Sequence, residues 1–177
     1  MKIRPVVRQI HADNAPTYRD LQAHIDKLFK PVCSERRWHY ESRVKQLDSF
    51  ALKVESGRGW DSTPAAMEDF FACTVVVRNS TEVADAVGAV LAECEEQSRR
   101  PQSPGHAGRA SSFDFDDLRM FVKLRPSEGL RPNEAYNRIF EVQIRTFLFH
   151  AWQIATHDLT YKTDQVSWGR ARIAYQV

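Results

Sequence analysis

The sequence predicts an α/β protein of the α+β type, in which helices flank a mixed, mostly antiparallel sheet. Three segments support this prediction. Residues 70–77 form an apolar run rich in β-branched side chains, while residues 117–124 and 137–146 alternate between polar and apolar side chains. Helical periodicity before, between and after these segments gives the order helix, helix, strand, helix, strand, strand, helix.

Length and composition predict one globular domain spanning 1–177. We expect a helical part over 1–60, a sheet-and-helix part over 61–165, and a C-terminal helix that is either complete or truncated at Val177. A hydrophobic content of 42% and a charged content of 27% are typical of soluble proteins, and a net charge of +2 alone does not indicate a nucleic-acid partner. The chain has no apolar run long enough for a bilayer and no signal-peptide core, so we expect a cytoplasmic protein without a membrane partner.

Two helices are predicted before the first strand. The first covers 14–30, with Asn14 as its N-cap and Pro16 in its first turn. The second covers 35–55, where apolar residues recur at helical spacing with basic residues between them.

This second helix would carry a basic ridge. Lys45, Ser49 and Lys53 are four residues apart, so their side chains would stack on one face, with Arg43 close by. Such a ridge can bind a polyphosphate. The alternative is a solvated basic face with no ligand.

The later elements follow from caps and alternation. Asn79 starts a helix, residues 96–112 are predicted as a loop, and the strands over 117–124 and 137–146 are expected to pair antiparallel. A last helix begins near Thr146, with its apolar side formed by Leu148, Ala151, Trp152, Ala155 and Leu159. The three cysteines show no metal-binding spacing and are expected to be buried free thiols.

Polar residues on the strand over 137–146 are the strongest functional signal. Glu141, Gln143 and Arg145 would share one face, while their apolar neighbours point into the core. A carboxylate, an amide and a guanidinium in one row can hold a metal ion and orient phosphates. The alternative is the solvated face of an antiparallel strand.

Asp69 and two histidines are further candidates. Asp69 immediately precedes an apolar strand and, together with Glu141, could hold Mg²⁺ through carboxylate oxygens. His150 and His157 are seven residues apart on the predicted last helix, which is poor spacing for a metal pair. Hydrogen-bonded histidines inside the fold are therefore favoured.

These motifs together resemble the synthetase domain of the RelA/SpoT alarmone enzymes, and above all the stand-alone small alarmone synthetases and their toxic relatives. The motifs are Arg43-x-Lys45 with Ser49 and Lys53, then Asp69 before a strand, then the block from Glu141 to Lys162. The resemblance covers about residues 40–165 and implies a nucleotidyltransferase-like fold. It implies an Mg²⁺-dependent pyrophosphokinase, which transfers pyrophosphate from ATP to the 3′-hydroxyl of a guanosine nucleotide.

The resemblance also implies roles for single residues. Arg43, Lys45, Ser49 and Lys53 would bind ATP, and Asp69 and Glu141 would hold Mg²⁺, with Glu141 also taking the proton of the hydroxyl group. The acceptor would be bound by Phe115, Arg119, Gln143, Arg145 and His157.

The acceptor side departs from the family's patterns. The glycine and arginine of Asp-Leu-x-Gly-x-Arg are replaced by Ala72 and Thr74. The Gly-Tyr-x-Ser-x-His segment corresponds to a stretch where Phe115, Asp117 and Arg119 stand for the tyrosine, serine and histidine.

Several alternatives follow from these departures. The acceptor could be the tRNA 3′ end, contacted by Arg99, Arg100, Arg109 and Arg119, or an adenosine nucleotide; otherwise the chain is a degenerate nucleotide-binding regulatory module. As a synthetase without a hydrolase it would act as a toxin, for which an antitoxin partner is expected. Relatives in the family form homo-oligomers, and the same is an open expectation for this chain.

Overall fold

A five-stranded sheet with helices on both faces organises the protein. The computed structural model describes residues 3–56, 67–100, 117–125 and 137–160. The elements in chain order are α1 (Pro5–Arg36), β1 (His39–Val44), α2 (Leu47–Ser56), β2 (Phe71–Val77), a 3₁₀ turn (Ser80–Glu82), α3 (Val83–Glu93), β3 (Cys94–Arg100), β4 (Leu118–Leu124), β5 (Phe140–Thr146) and α4 (Phe147–Thr160).

The strands lie in the order β1-β2-β5-β4-β3, with β2 and β5 paired in parallel and the other pairs antiparallel. The predicted α+β class and mixed, mostly antiparallel sheet are therefore confirmed, as is the antiparallel pairing of β4 with β5. Strand β2 is the most apolar of the five, because a strand covered on both faces must bury nearly every side chain. All seven residues of β2 are buried.

The hydrophobic core lies between one face of the sheet and the helices α1 and α3. From β2 it takes Cys73, Val75 and Val77, and from β5 it takes Val142 and Ile144. Helix α1 contributes a stripe that packs on this face: Val7, Ala15, Tyr18, Leu21, Ile25, Phe29 and Cys33. The opposite face of the sheet is left for polar side chains and for α4.

The predicted helix over 35–55 is wrong, because this segment forms strand β1 followed by the shorter helix α2. Helix α1 ends at Arg36, and Arg37 adopts the left-handed conformation (φ 59°), with its backbone N–H directed at the carbonyls of Cys33 and Ser34. The chain then runs back antiparallel to β2, and the exposure of β1 alternates as in a half-covered strand.

Helix α1 is also much longer than predicted. Asn14 is not its N-cap but lies inside it, where its Nδ2 donates to the carbonyl of Ile10 at 2.8 Å. Pro16 and Pro31 both lie within the helix. Burial of its long apolar stripe outweighs the hydrogen bonds that the two prolines remove.

Residues 94–100 form strand β3, so the loop predicted from residue 96 is wrong over that part; residues 101–112 lie outside the described part of the chain. The strand is mostly polar, and its structure comes from antiparallel pairing with β4, interrupted by an irregularity between Glu96 and Ser98. An edge strand needs no apolar run, so its sequence gives little signal.

Two helix predictions have different outcomes. Asn79 caps the 3₁₀ turn before α3 as predicted, since its side chain accepts from the backbone N–H of Thr81 at 3.0 Å. The apolar side predicted for α4 is wrong at Leu148, Ala151 and Ala155, which are exposed, Leu148 by 74%, while Phe149 is buried and Trp152 half-buried; the side chain of Leu159 lies outside the described part. Cys33, Cys73 and Cys94 are buried free thiols, as predicted, and burial raises the pKa of Cys33 to about 11 and that of Cys94 to about 12.

None of the described helices has the length and apolar character needed to span a membrane.

Candidate active site

An open cleft of about 570 Å³ lies on the polar face of the sheet. Strands β1, β2, β4 and β5 form its floor, and α4 forms part of its wall. The side chains that line it are Glu41, Ser42, Arg43, Asp69, Ala72, Thr74, Arg119, Glu141, Gln143, Arg145, His150, Gln153 and Ile154.

Strand register brings the polar residues into rows across the floor. Arg43 lies opposite Ala72, which in turn lies opposite Glu141. In the next row, Thr74 lies between Glu41 and Gln143. Since alternate residues share a face, the polar side chains of three strands converge on one cleft.

At one end of the cleft, Asp69 is bound by two lysines. Its Oδ2 lies 2.6 Å from Nζ of Lys45, and its Oδ1 lies 2.8 Å from Nζ of Lys53. Lys45 lies in the connection between β1 and α2. Its backbone N–H donates to the carbonyl of Phe70 at 2.7 Å, which fixes the position of this connection. Residues far apart in the chain thus meet where β1 ends and β2 begins.

The side chains around Asp69 carry more positive than negative charge. Burial acts to raise the pKa of Asp69, but the hydrogen bonds and charges of Lys45 and Lys53 outweigh it, and the pKa is lowered. Burial lowers the pKa of Lys45, and the nearby charges of Lys53 and Arg43 add to this effect while Asp69 opposes it. Two ammonium groups on one carboxylate, with the guanidinium of Arg43 near Lys45, leave a positive region suited to phosphate groups.

The predicted single basic helix is therefore replaced by a different arrangement of the same residues. Arg43 lies on β1, Lys45 lies in the connection after it, and Lys53 lies on α2. Of the four residues, only Arg43 is among the side chains that line the cleft; Lys45 and Lys53 adjoin it through their ion pairs with Asp69, and Ser49 is exposed on α2.

On β5, opposite Ala72, Glu141 is only 4% exposed although it lines the cleft. Its Oε1 lies 3.8 Å from Nε of Arg119. Gln143 beside it accepts a long hydrogen bond of 3.5 Å from the hydroxyl of Thr74. Among the described residues, the cation paired with this carboxylate is therefore at the limit of contact distance.

Asp117 binds the two arginines near Glu141, Arg119 and Arg145, and was not predicted as a site residue. Its Oδ2 accepts from Arg119 at 2.7 Å, and its Oδ1 accepts from Nε of the buried Arg145 at 2.9 Å. The guanidinium of Arg145 also lies 5.7 Å from the ring centre of Phe149. Alternation along β4 puts Asp117 and Arg119 on one face, and this pattern could have identified Asp117 as a site residue from the sequence.

His150 lies on α4 and lines the cleft, with its ring centre 5.7 Å from that of His39. Burial lowers its pKa, against the opposing charge of Glu41. Its Nδ1 is buried without a hydrogen-bond partner, so the predicted hydrogen-bonded histidine is wrong at this atom. His157 lies on α4, but its side chain, like the whole of Phe115, lies outside the described part of the structure.

Asp69 and Glu141 provide the donors that Mg²⁺ prefers. Both are carboxylates, both line the same cleft, and the open volume beside them leaves room for phosphate oxygens and water. The donor chemistry of these two residues therefore suits a magnesium ion.

Comparison with known proteins assigns the family. The model for the region found in RelA / SpoT proteins matches residues 42–166. A comparison with curated proteins gives no match.

Solved structures share the fold at low sequence identity. Small alarmone synthetase 1 from Bacillus subtilis bound to its product pppGpp has a TM-score of 0.71 at 15% identity, over 96% of this chain and 88% of that one. Small alarmone synthetase 2 from Bacillus subtilis has a TM-score of 0.67 at 17% identity, over 93% and 88%. A GTP pyrophosphokinase family protein from Streptococcus pneumoniae has a TM-score of 0.65 at 18% identity, over 95% and 88%. With the family model covering well over half of its length, the chain belongs to the RelA/SpoT family.

Proposed function

We propose that the protein is an Mg²⁺-dependent pyrophosphokinase that transfers pyrophosphate from ATP to the 3′-hydroxyl of a guanosine nucleotide. The observation that carries this proposal is the composition of one cleft. The cleft is lined by Arg43, Asp69 and the buried carboxylate of Glu141, and Lys45 and Lys53 bind Asp69. Transfer of a phosphoryl-type group depends mainly on positioning and charge neutralisation, and this cleft supplies both.

The Asp69 end is proposed to bind ATP. Lys45 and Lys53 already surround Asp69, so an incoming polyphosphate meets ammonium groups held in place by ion pairs. Arg43 adds a guanidinium that can pair with phosphate oxygens or stack on adenine. Small alarmone synthetase 1 from Bacillus subtilis has been solved bound to AMPCPP, which supports an ATP site in this fold.

Asp69 and Glu141 would hold the magnesium ion. When bound, the ion neutralises charge on the transferring phosphates. The two lysines lower the pKa of Asp69, so its carboxylate stays ionised in acid that would protonate an ordinary aspartate.

Glu141 is proposed as the general base. The oxygen of the acceptor 3′-hydroxyl attacks the β-phosphorus of ATP, and the hydroxyl proton passes to the Glu141 carboxylate. The bond between the β-phosphorus and the oxygen that bridges it to the α-phosphorus breaks, and AMP leaves. Gln143 and Arg145 flank Glu141 on the same strand face and brace it and the acceptor.

The acceptor is proposed to be GDP or GTP. The structure of the Bacillus subtilis relative with pppGpp supports a guanosine nucleotide in this fold. Arg119 and Arg145, held by Asp117, form the cationic group nearest Glu141. Phe115 and His157 stay predicted acceptor contacts.

The alternative acceptor, a tRNA end, receives less support from the predicted arginines. Arg99 is paired with Glu96, which partly neutralises its charge, and Arg119 lies at the cleft, where it could contact either acceptor. Arg100 is the more exposed one, 3.9 Å from Glu68 and packed over the ring of Phe121. Arg109 lies outside the described residues.

A transfer assay tests the proposal. The protein is incubated with Mg²⁺ and ATP labelled at the β-phosphate, in separate reactions with GDP, GTP, AMP, ADP and deacylated tRNA. We expect label on the guanosine nucleotides alone, and its loss in Glu141→Gln. Glu95→Gln serves as the matched control, because Glu95 is exposed on the edge strand β3.

Other outcomes name other functions. Label on tRNA or on an adenosine nucleotide would replace the acceptor while keeping the chemistry. A folded protein that binds ATP but labels no acceptor would instead be a regulatory module. The toxin role, the antitoxin partner and the homo-oligomer stay predictions; growth arrest on expression and its relief by a neighbouring gene product would test the first two.

A further inference from the structure

A second group of potential metal ligands lies beside the proposed magnesium site. His39 and Glu41 are two residues apart on β1, so their side chains share the face of the strand that borders the cleft. His150 approaches them from α4. One ligand atom from each of these three residues lies within 4.8 Å of the other two.

One ring nitrogen of His150 lacks a hydrogen-bond partner among the described residues. Its Nδ1 is buried from solvent and has no hydrogen-bond partner in the described structure. An imidazole nitrogen in that state carries a desolvation cost that a bound ion or a hydrogen-bond partner would remove. The neighbouring imidazole of His39 packs against it with the rings tilted by 41°.

The donor set selects the kind of ion. Two imidazole nitrogens and one carboxylate oxygen suit Zn²⁺ and related transition metals, whereas Mg²⁺ takes oxygen ligands almost alone. Zinc–ligand bonds of about 2.0–2.1 Å in a tetrahedron place the ligand atoms roughly 3.4 Å apart. His39 and Glu41 have exposed side chains, so rotation about their side-chain bonds can close the remaining gap.

We propose that His39, Glu41 and His150 form a binding site for a divalent transition metal of the Zn²⁺ type at the border of the cleft. The ion joins the edge strand β1 to helix α4. Three protein ligands leave a fourth coordination position for water or a ligand. Glu41 and His150 also line the cleft, so this position is accessible from it.

The site is separate from the Asp69–Glu141 pair in chemistry and in sequence. It shares no residue with that pair, and none of its residues was singled out by the spacing of a metal motif. His39 and Glu41 lie far from His150 in the sequence. The pairing of β1 with β2 and of β2 with β5, which α4 directly follows, brings them together.

Metal binding to the untagged full chain tests the proposal. After removal of metals with a chelator, the protein is dialysed against Zn²⁺ in excess Mg²⁺, and bound zinc is measured by elemental analysis. We expect one equivalent in the wild type, an increase in Tm on binding, and a tetrahedral absorption spectrum when Co²⁺ replaces Zn²⁺. His39→Ala, Glu41→Gln and His150→Ala should each weaken binding by at least about tenfold.

Two controls locate the ion. His24→Ala removes a histidine from α1, which contributes no residue to the cleft, and Glu141→Gln alters the proposed magnesium site. Both should retain zinc. The proposal is overturned if the wild type retains no zinc, if the three ligand variants bind it as the wild type does, or if Glu141→Gln alone loses it. His39→Ala changes an exposed side chain, so it keeps the test decisive should His150→Ala fail to fold.

Discussion

The two carboxylates of the cleft, Asp69 and Glu141, lie in different surroundings. Asp69 has both oxygens within 2.8 Å of lysine ammonium groups, whereas Glu141 is more deeply buried and is paired, among the described residues, with the guanidinium of Arg119 at 3.8 Å. A carboxylate held by two ammonium groups is fixed in place and stays ionised. A carboxylate whose paired cation lies at the limit of contact distance keeps oxygen lone pairs that can accept a proton or bind a metal ion. The difference suggests that Asp69 holds the phosphate end together while Glu141 acts on the acceptor.

Replacing Glu141 should have the largest effect on activity. Glu141→Gln keeps the shape of the side chain but removes the proposed base and a magnesium ligand. We expect kcat to fall by about 10³-fold, within the range for loss of a general base, with little change in Tm. Steady-state transfer kinetics and thermal unfolding measure the two effects. Activity within a few-fold of the Glu95→Gln control would contradict the role given to Glu141.

Replacing Asp69 should reduce both activity and stability. Asp69→Asn leaves an amide that can accept from one lysine, so the buried ammonium of Lys45 or that of Lys53 loses its counter-charge. We expect the free energy of unfolding to fall by about 2 kcal/mol, less than for a fully buried pair because Asp69 is partly exposed. Denaturant unfolding at neutral pH measures this. Equal stability losses in Asp69→Asn and Glu141→Gln would contradict the stronger structural role given to Asp69.

The same contrast predicts a pH dependence. The pKa of Asp69 is lowered from its ordinary value of 3.8. A lowered pKa in the folded state stabilises the protein above the unfolded-state value, and this stability is lost as pH falls through the folded-state value. Below about pH 4, the stability of the wild type should therefore converge on that of Asp69→Asn. A stability difference between the two proteins that does not shrink in acid would show that the lysine pairs contribute nothing through ionisation.

The central strands could be predicted from sequence, and the edge strands could not. The buried run of β2 and the alternation of β4 and β5 are direct consequences of how these strands are covered. Strand β1 carries apolar residues at spacings that also fit a helix, and β3 is nearly all polar. Both become strands through pairing with neighbours that are distant in the chain, which no local pattern encodes.

The candidate site shows the same limit. Glu141 and its strand neighbours were predicted together because one strand carries them all. Lys45 and Lys53 were assigned to one helix, and the structure instead brings them together around Asp69 from separate elements. The pairing of Asp117 with Arg145 and the grouping of His150 with β1 depend on tertiary contacts between segments far apart in sequence.

The two lysines that bind Asp69 should differ in a smaller but measurable way. The side chain of Lys45 is 11% exposed, while that of Lys53 is 40% exposed. Lys45→Ala removes a well-shielded ion pair and should cost about 2 kcal/mol of unfolding free energy, whereas Lys53→Ala should cost less than about 1 kcal/mol. Both should raise KM for ATP, because both supply cationic charge to the proposed phosphate end. Unfolding and ATP titrations on the two variants measure these effects, and a larger stability loss for Lys53→Ala would mean that solvent exposure does not decide the strength of these pairs.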